Sequence, residues 1–298
     1  MKNFNKREDR TWYVHLFFII YMALCILPFL LVISISFSEE NDVLRYGFSL
    51  IPREFATTAY EYILSDVSTL LQAYGVTIIY AFGGAVLGIA HMAAFGYALS
   101  RPHFIFKKFL NVYLLITMFF HGGLIPSYIL NTQVYHLGDS MWIYLLPGLV
   151  SAYQVFVFRT FFSQIPSSLI EAAELDGASE MQLLGTVILP LSKPVIATYT
   201  FTGIVARWND FTISMYYIQN PKLYTLQYLL QLMLNEARFL ESLKSQMPID
   251  STVQGIADIP TETLKYAMCV LASAPMLFLF PFFQRYFSKG VTLGAVKG

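Results

Sequence analysis

The chain has 298 residues, of which 56% are apolar and only 13% charged, and its 19 basic residues are matched by 19 acidic ones. Soluble domains carry about a quarter charged residues, so this composition excludes an ordinary globular enzyme and places the chain in a lipid bilayer. With zero net charge and no basic cluster, nothing marks it as a nucleic-acid binder.

A spanning helix needs roughly 20 mostly apolar residues. Six stretches satisfy this: Trp12 to Phe37, Leu70 to Leu99, Phe109 to Asn131, Met141 to Phe162, Val195 to Ile218 and Tyr266 to Phe287. The expectation is an all-α integral membrane protein with six transmembrane helices, and one membrane domain over residues 1–298. The first stretch looks like a signal peptide, but its apolar run is too long and no small-residue cleavage pattern follows. It is expected to remain as the first span. Cys25 and Cys269 both lie in spans, which argues against a structural disulfide.

Basic residues sort by side. Counting alternate loops, the side of the N-terminus carries 12 Lys/Arg and the other side six, with Arg207 inside the fifth stretch. Positive residues are retained in the cytoplasm, so both termini and the 163–194 loop are expected to face inward. The outer loops, about 38–69 and 219–265, are polar, and the second holds a helix-like stretch from Leu226 to Leu243. They read either as a landing surface for a soluble partner or as connectors.

Gly84 and Gly88 in the second stretch form a Gly-x3-Gly pair that permits close helix contact, a packing feature. The third stretch is interrupted by His121-Gly122-Gly123 and Pro126, residues that lower helix stability. Irregular backbone at membrane depth persists only where protein or a water-filled cavity satisfies it. Gly122 and Gly123 therefore mark a hinge or cavity wall, or a simple packing kink.

The long inner loop carries its own helix signals. Ser168 followed by Glu171, and Ser179 followed by Gln182, both have capping-box spacing, and Gly177 supplies a left-handed helix end. Pro190 and Pro194 interrupt the second helix. Leu169, Ala172, Ala173 and Leu175 give the first helix a small apolar face that a partner can approach closely. The segment reads as a helix-turn-helix knob presented to another protein; an amphipathic loop or a DNA-reading turn is the bland alternative.

The fifth stretch contains Arg207-Trp208-Asn209-Asp210, about 18 Å into a layer roughly 30 Å thick. Polar groups there are costly. Arg207 and Asp210 are three apart, so they share a helix face and can neutralise one another. Trp208 offers a flat ring suited to sugar faces, and Asn209 a donor and an acceptor. Trp208, Asn209 and Asp210 thus line a substrate pathway or lock helix packing. The five histidines show no metal spacing, and neither a nucleophile elbow nor a phosphate loop is present.

Glu171-Ala172-Ala173, three residues, Gly177, and then Ile188-Leu189-Pro190 resemble the loop of permease subunits from binding-protein-dependent ABC importers. Asp176-Gly177-Ala178 and the Trp208 element resemble the sugar-importing branch, whose best-known example is the second permease of the maltose system. Phe119-Phe120-His121-Gly122-Gly123-Leu124-Ile125-Pro126 is similar to a subgroup associated with complex oligosaccharides. The resemblance covers nearly the whole chain. It implies a bacterial cytoplasmic-membrane permease that forms half of a pore, with a second permease subunit completing a heterodimer. It also implies two copies of an ABC ATPase holding ATP and Mg, no cofactor in this chain, and an extracytoplasmic solute-binding protein. Glu171, Ala172, Ala173, Asp176 and Gly177 would couple to the ATPase, and a tail ending in Lys297 and Gly298 would reach the ATPase interface. The alternative is a self-contained ion-coupled carrier or channel; an intramembrane hydrolase lacks a nucleophile and base.

Overall fold

The computed structural model describes residues 12–246 and 260–295, and these are almost entirely helical. Among them the one β-type pairing is an isolated bridge between Ser38 and Phe55. The chain forms two compact units. One joins the segments up to Val67 with those between Leu232 and Ala274; the other joins Ser68–Gln231 with the last helix from Pro275 onward. Lys297 and Gly298 lie outside the described residues.

In the first unit, α1 (Trp12–Ser36) is apolar on all sides, and only Ser34, Ile35 and Ser36 at its end are buried. A helix of this kind is a membrane helix, its surface left for lipid or another subunit. Its end is fixed by polar contacts: Ser34 Oγ donates to the Ser49 carbonyl (2.8 Å), and Tyr60 OH donates to Ser36 Oγ (2.9 Å). Phe37 stacks on both Phe55 and Tyr60. Two short helices follow, α2 (Glu40–Tyr46) and α3 (Thr58–Leu64).

The last helix begins at Thr261, earlier than the apolar run alone suggests, because Glu40 caps it from a distance. The Glu40 carboxylate accepts from the backbone N–H groups of Glu262 (2.8 Å) and Thr263 (2.9 Å). Those are donors that a helix start leaves unpaired, and a carboxylate also complements the helix dipole there.

The second unit is built on α4 (Val67–Ser100), 34 residues long and containing a π-helical turn at Ile79–Gly83. The third expected span is instead two helices, α5 (Lys107–Phe119) and α6 (Leu124–Val134), bent by 117°. Gly123 turns the chain with φ +86°. The fourth is also divided: α7 (Trp142–Leu145) is separated from α8 (Ala152–Phe162) by a segment containing Pro147 and Gly148. Residues Met92, Ala93 and Tyr97 of α4 pack with Val155, Phe158 and Phe162 of α8 in the main core. A Cβ on Gly96 would stand 2.6 Å from the Phe158 Cβ, so this helix pair is in close contact.

The inner loop forms α9 (Ser167–Leu175) and α10 (Glu180–Leu191), the latter meeting α11 (Lys193–Trp208) at 81°. A short α12 (Thr212–Tyr217) follows, then α13 (Leu226–Gln246) and α14 (Thr261–Ala295). Among the described residues three helices are long and apolar enough to cross a bilayer, or up to five if each bent pair counts as one span. The third stretch is thus broken where its sequence is interrupted, whereas the fourth and fifth, expected as continuous spans, are corrected to divided ones. Glycine, proline and the Asn209-Asp210 pair break runs whose average hydropathy is still that of a membrane helix.

Candidate functional site: a braced inner loop and an arginine-walled cavity

The loop around α9 closes as its sequence indicates. Gly177 has φ +81°, its N–H reaches the Glu174 carbonyl (3.0 Å), and the Ala178 N–H reaches that of Ala173 (3.0 Å). That pair of bonds is a Schellman cap, which needs a left-handed residue where it stands. Ser179 and Gln182 form the expected capping box at the start of α10. Ser168 does not: α9 starts at Ser167 with Pro166 in the capping position, and no side chain caps it.

The first helix divides differently from the expected apolar face. Ile170 and Ala173 pack against the chain's own core, whereas Leu169, Glu171, Ala172, Leu175 and Asp176 are exposed. Leu175 is 89% exposed and Met181 77%, an unusual display of apolar side chains at the tip of a polar loop.

What holds this loop was not evident in the sequence. Arg101, just beyond α4, pairs with Glu174 and lies 3.3 Å from Glu180, and Tyr97 OH donates to the other oxygen of Glu180. Burial pulls the Arg101 guanidinium down, but the bond to Glu174, with Tyr97 and Glu180 nearby, more than offsets this and raises it. The group remains charged, clamping both loop helices to the end of α4.

The second site lies where α11 stops. The helix ends at Trp208, so Arg207 and Asp210 do not share a helical face, and among the described residues no ion pair joins them. Asp210 Oδ2 accepts from Tyr80 OH (2.8 Å), and Oδ1 accepts from the Thr212 N–H (2.8 Å) and hydroxyl (2.5 Å). The π-helical turn carries Tyr80, and such insertions often sit at functional places. Arg207 Nη1 donates to the Gly203 carbonyl (3.2 Å) and Nη2 to the Gly148 carbonyl (3.1 Å).

A cavity of about 450 Å³ is lined by Tyr80, Tyr144, Gly148, Ala206, Arg207, Asp210, Thr212 and Ile213. Asp210 is thus brought to it, but Trp208 and Asn209 are not among its walls. Trp208 is 2% exposed, its ring tilted toward that of Tyr74 with 6.3 Å between centroids. Asn209 is exposed and bonds back to the Val205 carbonyl (2.9 Å). Gly122 and Gly123 form the exposed break between α5 and α6 and also lie off this cavity. Sequence reasoning missed Tyr80 and Tyr144; the only local signal was a tyrosine hydroxyl placed in an apolar stretch, where it needs a partner.

The two glycines of the Gly-x3-Gly pair serve Arg207. A Cβ on Gly84 would stand 2.7 Å from Arg207 Nε, and one on Gly88 3.4 Å from Nη2. Gly203 completes the slot, with its hypothetical Cβ 3.2 Å from Nη1.

Residues 95–293 match the family model described as binding-protein-dependent transport system inner membrane component. The polygalacturonan/rhamnogalacturonan transport system permease protein YtcP of Bacillus subtilis (strain 168) is 34% identical over 286 residues, covering 95% of this chain and 96% of that one. The trehalose/maltose transport system permease protein MalG of Thermococcus litoralis is 26% identical over 292 residues, covering 94% of each. A solved bacterial ABC transporter involved in import of the acidic polysaccharide alginate contains a similar chain. The TM-score is 0.79 at 26% identity, over 96% of this chain and 100% of that one. These likenesses set aside the self-contained carrier or channel. With its membrane helices and Glu171-Ala172-Ala173 loop, the chain belongs to the family of binding-protein-dependent transport system inner membrane components, and is a permease subunit of an ABC importer.

Proposed function

We propose that this permease is one half of a heterodimeric pore that imports oligosaccharides. Two copies of an ABC ATPase, holding ATP and Mg, work beneath it, and an extracytoplasmic binding protein delivers sugar from outside. Both termini and α9 lie on the cytoplasmic side, in keeping with the excess of basic residues there. The sugar assignment is supported by the names of its relatives, transport system permease proteins for polygalacturonan/rhamnogalacturonan and for trehalose/maltose.

The observation that carries the reading is the knob at α9. Glu171, Ala172, Leu175 and Asp176 project outward from a helix whose other face is packed and whose end is fixed by Gly177. Such a surface is shaped to seat in a cleft of a moving partner, and the Arg101 clamp passes that motion to α4. ATP-driven closure of the ATPases then switches the bundle from inward- to outward-facing. The Gly122–Gly123 break supplies a hinge, and the cavity bounded by Tyr80, Tyr144 and Asp210 is this subunit's share of the sugar route. Asn209 is exposed next in sequence to Asp210, and Trp208 is buried with its ring toward Tyr74.

Gly177→Val tests the coupling. Space is open around Gly177, so the substitution acts through its positive φ, at a cost of about 1–2 kcal/mol for an ordinary residue and more for a β-branched one. Sugar uptake is expected to be lost from a complex that still assembles with its ATPases. Normal uptake by that complex would remove the coupling role from this loop.

A further inference from the structure

We infer that Arg207 is a carboxylate-recognition residue in the translocation route, and that the sugars carried are acidic ones bearing uronate groups. The inference rests on the importer reading above and deepens it.

A guanidinium inside a membrane domain is expensive, and it persists where it is paired or functional. Arg207 has no carboxylate within ion-pair distance among the described residues. Asp210, the nearest acid in sequence, is engaged by Tyr80 and Thr212 instead. Of the five N–H groups of a guanidinium, two are used, and both go to neutral carbonyls, at Gly203 and Gly148. The positive charge is therefore held in place but not neutralised.

The holding is specific. Gly84 leaves a space 2.7 Å from Nε that any side chain would fill, and Gly88 and Gly203 flank the terminal nitrogens. Arginine is thereby fixed in one pose with donors left over, on the wall of a 450 Å³ cavity. A planar fork of charged donors matches a carboxylate in a two-point contact, which lysine, a point charge, replaces only in part. Across the same cavity Asp210 offers a carboxylate that accepts from hydroxyls, as its bond from Tyr80 already shows. A uronate residue carries both groups: its carboxylate would meet Arg207 and its ring hydroxyls Asp210. A neutral sugar would leave the cation uncompensated.

The test uses the complete transporter, reconstituted in vesicles with its ATPases, second permease and binding protein. Uptake is compared for trigalacturonate, its fully methyl-esterified form and maltotriose. The wild type is expected to carry the acidic sugar, and Arg207→Gln is expected to lower its uptake relative to the neutral sugars by about tenfold or more. If no neutral sugar is carried, Arg207→Lys serves instead, and should retain more acidic uptake than Arg207→Gln. Gly84→Ala, which displaces the guanidinium without removing its charge, should also cut acidic uptake, and it replaces the Arg207 variants should they fail to assemble. Wild-type uptake of neutral sugars alone would overturn the inference while leaving the importer reading standing. So would an equal loss on acidic and neutral sugars, an equal loss in the Lys and Gln variants, or unchanged acidic uptake in Gly84→Ala. An assembled complex that carries none of the three sugars would instead count against the sugar-importer reading itself.

Discussion

The α9–α10 loop and the end of α11 are both polar interruptions of an apolar chain, but they are built by opposite means. In the loop, the clamp of Arg101 sets where the helices sit, but each turn is specified by residues within a few positions of it: Gly177 by its backbone freedom, Ser179 and Gln182 by a reciprocal pair of bonds. At the end of α11 the local bonds, from Thr212 to Asp210 and from Arg207 to Gly203, are joined by partners from far away. Asp210 is bound by Tyr80, 130 positions earlier, and Arg207 reaches the carbonyl of Gly148, 59 positions earlier. A motif stabilised locally keeps its shape on an exposed tip, which suits a surface that must engage another subunit. A motif stabilised by distant elements registers their relative positions, which suits a site whose walls must move.

The sharpest way to break this comparison is at Trp208. With only 2% of its surface exposed, truncating it to alanine leaves a cavity and is expected to cost about 3–5 kcal/mol. Complex yield and melting temperature should fall together with uptake in Trp208→Ala. Lost uptake at unchanged stability would return Trp208 to the sugar route. Tyr80→Phe comes next in size. It removes one hydroxyl from the Asp210 carboxylate, a bond to a charged group worth about 1.5–3 kcal/mol. The melting temperature of the complex is expected to drop measurably, whereas an unchanged value would show that Asp210 is held by Thr212 alone.

The same division explains what could be read from the sequence. The membrane class, the all-helical fold and the first span followed from composition and run length, since an apolar helix needs no partner within the chain. Gly177 and the Ser179–Gln182 box were legible because their chemistry is local. The apparent pairing of Arg207 with Asp210 failed because it assumed a helix that continues. Instead the chain leaves the helix after Trp208, and Asp210 bonds the N–H of Thr212 two residues on, a local turn that competes with helix. The clamp of Arg101 on Glu174 was not legible at all, being a meeting of groups 73 positions apart with no motif to announce it. The fourth span misled for another reason: Pro147 and Gly148 divide a run whose mean hydropathy remains high.

The smallest effect sharpens the comparison within the loop itself. Ser168 and Ser179 have the same spacing to a following Glu or Gln, but only Ser179 receives the N–H of its partner and closes the box. Ser179→Ala should therefore cost about 1 kcal/mol of local stability. Ser168 lies inside the first turn of α9, where alanine is the better helix former, so Ser168→Ala is expected to be neutral or slightly stabilising, by about 0.5 kcal/mol. Hydrogen exchange of the backbone amides resolves the two. In Ser179→Ala, the amides of Gln182 and Leu183 should exchange about fivefold faster, a factor that corresponds to about 1 kcal/mol of opening. In Ser168→Ala the amides of α9 should exchange at the same rate or more slowly. Equal acceleration in both variants would mean that spacing alone makes a cap, and that Pro166 does not define where α9 begins.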